Sequence, residues 1–194
     1  MKKLALVLIV ATALMFTACD PGRRSSEDQP TTTVTTAATE EPDGALADMT
    51  VEQLKNKLIE TVGFADADNY GSKETQVIEA DLNPSYGKIS RYNFVHFDQT
   101  ASTFDVLFDL YEFADPSVTE SIKVGDKLEI KVDGEASKVS PDNTITVSAV
   151  NGKFVMVIKD YADVKGGEIP EANVTGTFTS GNAQAIYDRF VSFK

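Results

Sequence analysis

One stretch of the chain, residues 104–113, limits the possible folds more than any other. Its sequence, FDVLFDLYEF, carries apolar side chains on both faces of an extended strand. In alternation, one face receives Phe104, Val106, Phe108 and Leu110, and the other receives Leu107, Tyr111 and Phe113. A strand with one solvated face shows apolar residues on the opposite face only. The sequence therefore predicts a central strand that is covered, at least in part, on both sides.

Other strands and their turns surround this segment. Residues 76–82 and 89–97 precede it, and Leu128, Ile130 and Val132 alternate with charged residues after it. The pair Asn151-Gly152 is typical of a two-residue hairpin turn, which predicts that residues 144–150 pair with residues 153–159. Asp133-Gly134 is a second candidate turn of this type.

Helical signals lie at both ends of this region. Thr50 and Gln53 form a capping box, and apolar residues then recur at helical spacing up to Gly63. Asp115-Pro116 predicts a short helix between the strands, since proline favours the first helical position. Asn182 is the predicted cap of the final helix, whose apolar residues share one face: Ala183, Ile186, Tyr187, Phe190 and Val191.

Together these elements predict an α+β fold for residues 45–194, as a single globular domain. We expect a mainly antiparallel sheet of about five to six strands, with an N-terminal and a C-terminal helix packed on it. A chain of this length can bury a sizeable core.

The charge of this region excludes one class of partner. Residues 45–194 contain 14 Lys and Arg against 24 Asp and Glu, a net charge of −10. Such a surface repels the phosphates of nucleic acids, so we predict no nucleic-acid partner.

The first 18 residues have the layout of a secretory signal peptide. Lys2 and Lys3 precede the apolar run 4–16, which is too short to span a bilayer, and small residues lead to Cys19. Residues 16–19, Phe-Thr-Ala-Cys, resemble the lipobox of bacterial lipoproteins, in which leucine is usual where this chain has Phe16. The resemblance implies cleavage between Ala18 and Cys19, lipid (palmitate among its acyl chains) on Cys19, and a place on the extracytoplasmic face of the cell membrane.

Residues 19–44 are predicted to be a flexible linker after the lipidated cysteine. They are rich in threonine and proline and lack aromatic residues, so they cannot bury enough apolar surface to offset the entropy of ordering. Glycosylation of the threonines is an open alternative.

Two sets of residues are candidates for a functional site. Asp66, Asp68 and Gly71 match the start of a calcium loop, but Tyr70 and Val77 stand where that loop needs oxygen ligands. A solvated turn is therefore favoured over a metal site.

His96 is the only histidine, so a Ser-His-Asp site would have to use it, with Asp98 and Asp105 near in sequence. No nucleophile motif accompanies it. Ser85-Lys88 and Gly176–Gly181 match fragments of enzyme and phosphate-loop motifs whose other residues are missing. We therefore predict no catalytic residue, no metal and no cofactor.

Three functions remain open from the sequence, the third being a passive structural lipoprotein. The first is a surface-displayed, non-catalytic binding or interaction module for an envelope protein, a wall component or a small solute. The second is a carboxylate-dependent hydrolase of cell-envelope polymers. The absence of Trp counts mildly against a carbohydrate-binding platform. Tyr86, Tyr92 and Phe94 could form an aromatic patch, but packing in the core of the sheet is favoured.

Overall fold

The computed structural model describes residues 44–78, 86–130, 143–161 and 170–194. These residues belong to one compact unit, Glu40–Lys194. The predicted signal peptide, Ala18, Cys19 and the linker as far as residue 43 lie outside the described residues. So do Val132, the candidate turn at Asp133-Gly134, and residues 79–82 of the first predicted strand.

A five-stranded sheet forms the centre of the fold. Its strands are β1 (Gln76–Ile78), β2 (Ile89–Asp98), β3 (Thr103–Phe113), β6 (Ala149–Asn151) and β7 (Phe154–Asp160). They are ordered β1-β2-β3-β7-β6, and each neighbouring pair is antiparallel. β3 lies at the middle of the sheet, which confirms the prediction of a central strand there.

A second, two-stranded antiparallel sheet joins β4 (Lys127–Glu129) to β5 (Thr144–Thr146). The predicted continuous strand 144–150 is therefore wrong, because the chain changes sheets within it. The change occurs at Ser148, whose Oγ accepts a hydrogen bond from Ile158 N at 3.1 Å and whose backbone N donates to Met156 O. The Ser148 hydroxyl thus provides the acceptor for the amide of Ile158 on β7, at a position just before β6 begins.

Helix α1 (Val51–Glu60) begins as predicted, with Thr50 and Gln53 forming a capping box. Helix α2 (Pro116–Thr119) is a single turn capped by Asp115. Helix α3 (Gly181–Ser192) is capped by Ser180, not by Asn182. The side chain of Asn182 is instead bonded to Asp105 on β3, so Ser180 is left to accept from Ala183 N.

The two faces of the sheet contribute to two separate apolar cores. Even-numbered residues of β2 and β3, such as Phe94, Phe108 and Leu110, pack against α1 and α3. Odd-numbered residues, such as Tyr111 and Phe113, pack in a cluster with residues of β4 and β5. The fold is therefore α+β, with the two longer helices on one face of an antiparallel sheet, as predicted.

The alternation of β3 is broken by a β-bulge near its start. His96 pairs with Val106 and Phe97 pairs with Phe104, so Asp105 is an extra residue on β3. An extra residue reverses the alternation beyond it. Phe104 therefore faces away from Val106, Phe108 and Leu110, and the prediction that it shares their face is wrong.

The predicted hairpin is present but shifted by one residue. Asn151 pairs with Phe154, so the two turn residues are Gly152 and Lys153. Gly152 has a positive φ of 54°, and Asn151 lies in the strand, where its side chain donates to Phe190 O at 2.8 Å. This bond to α3 fixes the asparagine as a strand residue.

A buried ion pair crosses β2 and β3 on the odd-numbered face. Arg91 Nε donates to Asp109 Oδ1 at 2.8 Å, and Asn93 Nδ2 donates to the same oxygen at 3.1 Å. Tyr111 is fully buried beside them. Burial raises the pKa of Tyr111 well above its ordinary value, so the phenol stays neutral.

Candidate functional site: the open end of the central sheet

The turn that joins β2 to β3 forms one end of the central sheet, and Asp98 fixes its conformation. Asp98 Oδ1 accepts hydrogen bonds from Thr100 N at 2.7 Å and Ala101 N at 3.0 Å. These two bonds hold the pKa of Asp98 below its usual value, so its carboxylate stays charged at neutral pH. Ser102 completes the turn with a positive φ of 54°.

The β-bulge directs Asp105 toward the N-terminus of α3. Asp105 Oδ1 accepts a hydrogen bond from Ser180 Oγ at 2.8 Å, and Oδ2 accepts one from Asn182 Nδ2 at 2.7 Å. His96 Nδ1 lies 3.7 Å from the same Oδ2, too far for a hydrogen bond. The fold thus brings together a serine, an aspartate and the only histidine.

This cluster lacks the order of a nucleophilic catalytic triad. In a triad the histidine lies between the serine and the aspartate and takes the serine proton. Here the aspartate lies between them, and Ser180 Oγ also accepts from Ala183 N as the cap of α3. His96 itself stacks on Phe64, with ring centroids 3.8 Å apart. The arrangement ties β3 to α3 and provides no activated nucleophile.

Four aromatic side chains line the opposite side of this end. We call Tyr70, Phe97, Phe104 and Tyr161 the aromatic row. Successive ring centroids lie 6.1, 5.4 and 5.7 Å apart, in edge-on or tilted contacts. Tyr70 is 60% exposed and Phe104 is 42% exposed, whereas aromatic rings of this size are usually buried.

Tyr70 is held in the row by its neighbour Asn69. The buried Asn69 side chain acts like a peptide group against the edge of β2: its Oδ1 accepts from Val95 N, and its Nδ2 donates to Asn93 O. The backbone N of Tyr70 then donates to Val95 O at 2.8 Å. Tyr70 is therefore exposed because of a defined backbone position.

Two shallow depressions flank the turn and adjoin at Asp98. The first, of about 350 Å³, is lined by Asp68, Tyr70, His96, Phe97, Asp98 and Gln99. The second, of about 330 Å³, is lined by Asp98, Ala101, Thr103, Phe104, Asp105 and the start of α3. Aromatic rings and carboxylates thus lie together along both.

Asp66 and Asp68, the metal candidates, lie on a 3₁₀ turn and point to different partners. Asp66 Oδ1 accepts from Lys55 Nζ at 2.6 Å and from the Tyr92 hydroxyl at 3.0 Å. Asp68 Oδ2 accepts from Ala65 N at 2.7 Å. Among the described residues, no three His, Cys, Asp or Glu side chains are grouped as a metal ion would need.

A catalytic acid would need a carboxyl group that holds its proton near neutral pH. The described carboxyl groups with displaced pKa values, Asp66, Asp98 and Asp115, are all lowered, chiefly by hydrogen bonds. The buried Asp109 is paired with Arg91. Asp66, Asp98 and Asp115 are thus held in the charged form and do not have the raised pKa of a catalytic acid.

The remaining sequence candidates have structural roles. Tyr92 and Phe94 are buried core residues, as favoured from the sequence, and Tyr86 packs edge-on against Phe113 at 6.0 Å. Gly176 lies against Tyr187, and a Cβ there would come within 2.9 Å of the tyrosine hydroxyl. Ser85 lies outside the described residues.

Comparison of the chain with protein-family models, with curated protein sequences and with solved structures gives no match. No helix in the described parts of the chain is both long enough and apolar enough to cross a membrane.

Sequence reasoning missed the aromatic row. The sequence places Tyr70 in a solvated turn and Phe104 on the same face of its strand as Val106. The bulge at Asp105, which has no sequence signature, brings Phe104 to Phe97 and Tyr161. The one available signal was the density of aromatic residues around the β2–β3 turn.

Proposed function

We propose that this protein is an exported, lipid-anchored binding module that presents the open end of its central sheet to a ligand at the cell envelope. The anchor is inferred from the first 19 residues, where small residues lead from a short apolar run to the only cysteine. Acyl chains on Cys19 would hold the module at the extracytoplasmic face. The Thr- and Pro-rich segment that follows Cys19 would allow the module to extend away from the membrane.

The observation that carries the binding role is the exposure of the aromatic row. An exposed ring loses the free energy that its burial would contribute, about 25 cal/mol per Å² of apolar surface. Tyr70 and Phe104 are nonetheless held outward by backbone geometry, through Asn69 and the bulge at Asp105. Aromatic residues in such positions are typical of the centre of a binding interface.

Retention of washed cell-envelope fragments by the intact protein tests this proposal. The double variant Tyr70→Ser/Phe104→Ser should lose most of the retention, because both rings would be removed. The matched control is Val191→Ser, which changes a side chain of similar exposure, 47%, on α3. Equal retention by the double variant and the native protein would refute the assignment of this surface.

The anchor is tested separately. Cys19→Ala should move the protein from the membrane fraction to the soluble extracytoplasmic fraction, because no acylated residue would remain. A variant that stays firmly membrane-bound would refute lipid attachment at Cys19. That result would leave the binding surface unaffected.

A further inference from the structure

We infer that the ligand of the open end is a basic peptide segment, whose lysine or arginine side chains lie against the aromatic row and between its neighbouring carboxylates. The inference rests on the proposed binding function and names the partner chemistry. Three observations support it: the residues that line the two depressions, the carboxylate oxygens that can accept further hydrogen bonds, and a similar grouping of a lysine, a ring and a carboxylate elsewhere in the protein.

The linings combine exposed rings with negative charge. Asp68, Asp98 and Asp105 contribute three carboxylates to the described linings, and His96 is the one basic side chain there. Aromatic faces attract ammonium and guanidinium groups, and nearby carboxylates add a direct electrostatic contact. These carboxylates would repel an anionic ligand, and a purely apolar ligand would offer them no positive charge.

The carboxylates retain capacity to accept further hydrogen bonds. Asp98 uses Oδ1 for both of its turn bonds, and Asp68 uses Oδ2 for its bond to Ala65 N. Each therefore keeps a second oxygen that an N–H donor can reach. The backbone bonds also hold both side chains in fixed positions, which lowers the entropic cost of binding.

Elsewhere in the protein, a lysine of the chain itself lies between an aromatic ring and a carboxylate. Lys55 Nζ lies 4.4 Å from the ring centroid of Tyr92 and 2.6 Å from Asp66 Oδ1, so an ammonium group is held between a ring and a carboxylate. At the open end, Tyr70 and Phe97 stand beside Asp68 and Asp98 in the same depression, with no lysine or arginine of the described chain among them. A lysine of the ligand would supply the ammonium group that this combination of rings and carboxylates lacks.

The length of the row favours a peptide over a small amine. Its four rings are spaced by 5.4 to 6.1 Å and continue past both depressions, whereas one small amine contacts one ring. In an extended peptide, alternate side chains on one face are about 6.6 Å apart. Successive basic side chains of such a segment can therefore reach successive rings.

The test uses the full, lipidated chain in non-ionic detergent and a fluorescent octapeptide of alternating Lys and Ser, at about 150 mM salt to screen distant charges. Fluorescence anisotropy measures the affinity. Acetylating the lysines should weaken binding by at least about tenfold, since their charge is lost at unchanged length. Asp68→Asn/Asp98→Asn, which keeps an acceptor oxygen at each position, should weaken binding of the unmodified peptide about tenfold.

The controls separate the proposed site from general attraction to an acidic protein. Glu120→Gln/Asp188→Asn makes the same charge change at exposed positions outside both depressions and should leave affinity unchanged. Tyr70→Ser/Phe104→Ser should weaken binding without any change of charge. Equal loss in both charge variants, or no loss in the aromatic variant, would overturn the inference.

Three further outcomes would also overturn it. These are no binding of the lysine peptide, equal binding of the acetylated peptide, and equally tight binding of spermidine through the same residues. If the aromatic row still retains envelope fragments in any of these cases, only the basic-peptide inference fails. If the row retains neither fragments nor peptide, the binding function fails with it.

Discussion

The two ends of the β2–β3 pair are built from similar residues but have different surroundings. At the closed end, Ile89 and Tyr92 on β2 and Tyr111 and Phe113 on β3 are buried, on both faces of the sheet. At the open end, Phe104 is exposed and Phe97 is half-buried. Both ends are rich in aromatic residues, so composition does not distinguish them.

The difference arises from what is packed against each end. The closed end is covered by α1 and α3 on one face and by the cluster around β4 and β5 on the other. The bulge at Asp105 marks the point where this double coverage stops, and beyond it the aromatic side chains contact mainly one another. Stability is therefore concentrated at the closed end and accessible surface at the open end.

The sharpest test of this division compares two phenylalanines of one strand. Phe108→Ala should lower the free energy of unfolding by about 3–5 kcal/mol, because Phe108 is fully buried and its removal leaves a cavity. Phe104→Ala should cost less than about 1 kcal/mol. Urea unfolding measures both, and equal losses would contradict the comparison.

The next largest effect is expected at the buried ion pair. Arg91→Leu should destabilise the protein by about 3 kcal/mol, since the buried carboxylate of Asp109 would lose its ion-pair partner. Arg91→Leu/Asp109→Leu should be more stable than the single variant, because no unpaired charge is left. Chemical unfolding measures the stability of both variants, and a double variant less stable than the single one would contradict the assignment of the loss to the unpaired carboxylate.

A smaller effect is expected at the bulge itself. Asp105→Ala removes the acceptors of Ser180 and Asn182, which should cost about 1–2 kcal/mol. Because the loss falls at the start of α3, amide hydrogen exchange should accelerate there more than in α1. Uniform acceleration in both helices would argue against a local tie between β3 and α3.

The smallest effect is a pH dependence from Asp66. Its hydrogen bond from Lys55, with a second from Tyr92, holds the pKa of Asp66 below the ordinary value of about 3.9. Its stabilisation is thus complete above that value and is lost as the pH falls through the lower pKa of the folded protein. The difference in melting temperature between native protein and Asp66→Asn should shrink from pH 7 to pH 3, and a constant difference would contradict this.

Features governed by local chemistry could be predicted from the sequence. The capping box at Thr50, the helix start at Pro116 and the central position of β3 all depend on residues within one element. The antiparallel sheet with two helices on one face followed from the order of these elements. Each of these sequence patterns lies within a single helix or strand and its cap.

The features that were wrong or missed depend on contacts between distant residues. Asn151 was expected in the turn, but its bond to Phe190 O, 39 residues away, keeps it in β6. Ser180 caps α3 by accepting from Ala183 N, while the side chain of Asn182, the predicted cap, donates to Asp105 on β3, 77 residues away. The aromatic row likewise requires the bulge, whose position depends on the pairing of β2 with β3.

The Asn69 side chain also affects how the protein meets other copies of itself. By bonding to Val95 N and Asn93 O, it occupies backbone groups along the flank of β2 that another polypeptide would otherwise pair with. Exposed strand flanks are templates for intermolecular sheet growth and amyloid. One asparagine side chain thus protects this flank of β2 against intermolecular strand pairing, directly beside the exposed aromatic row.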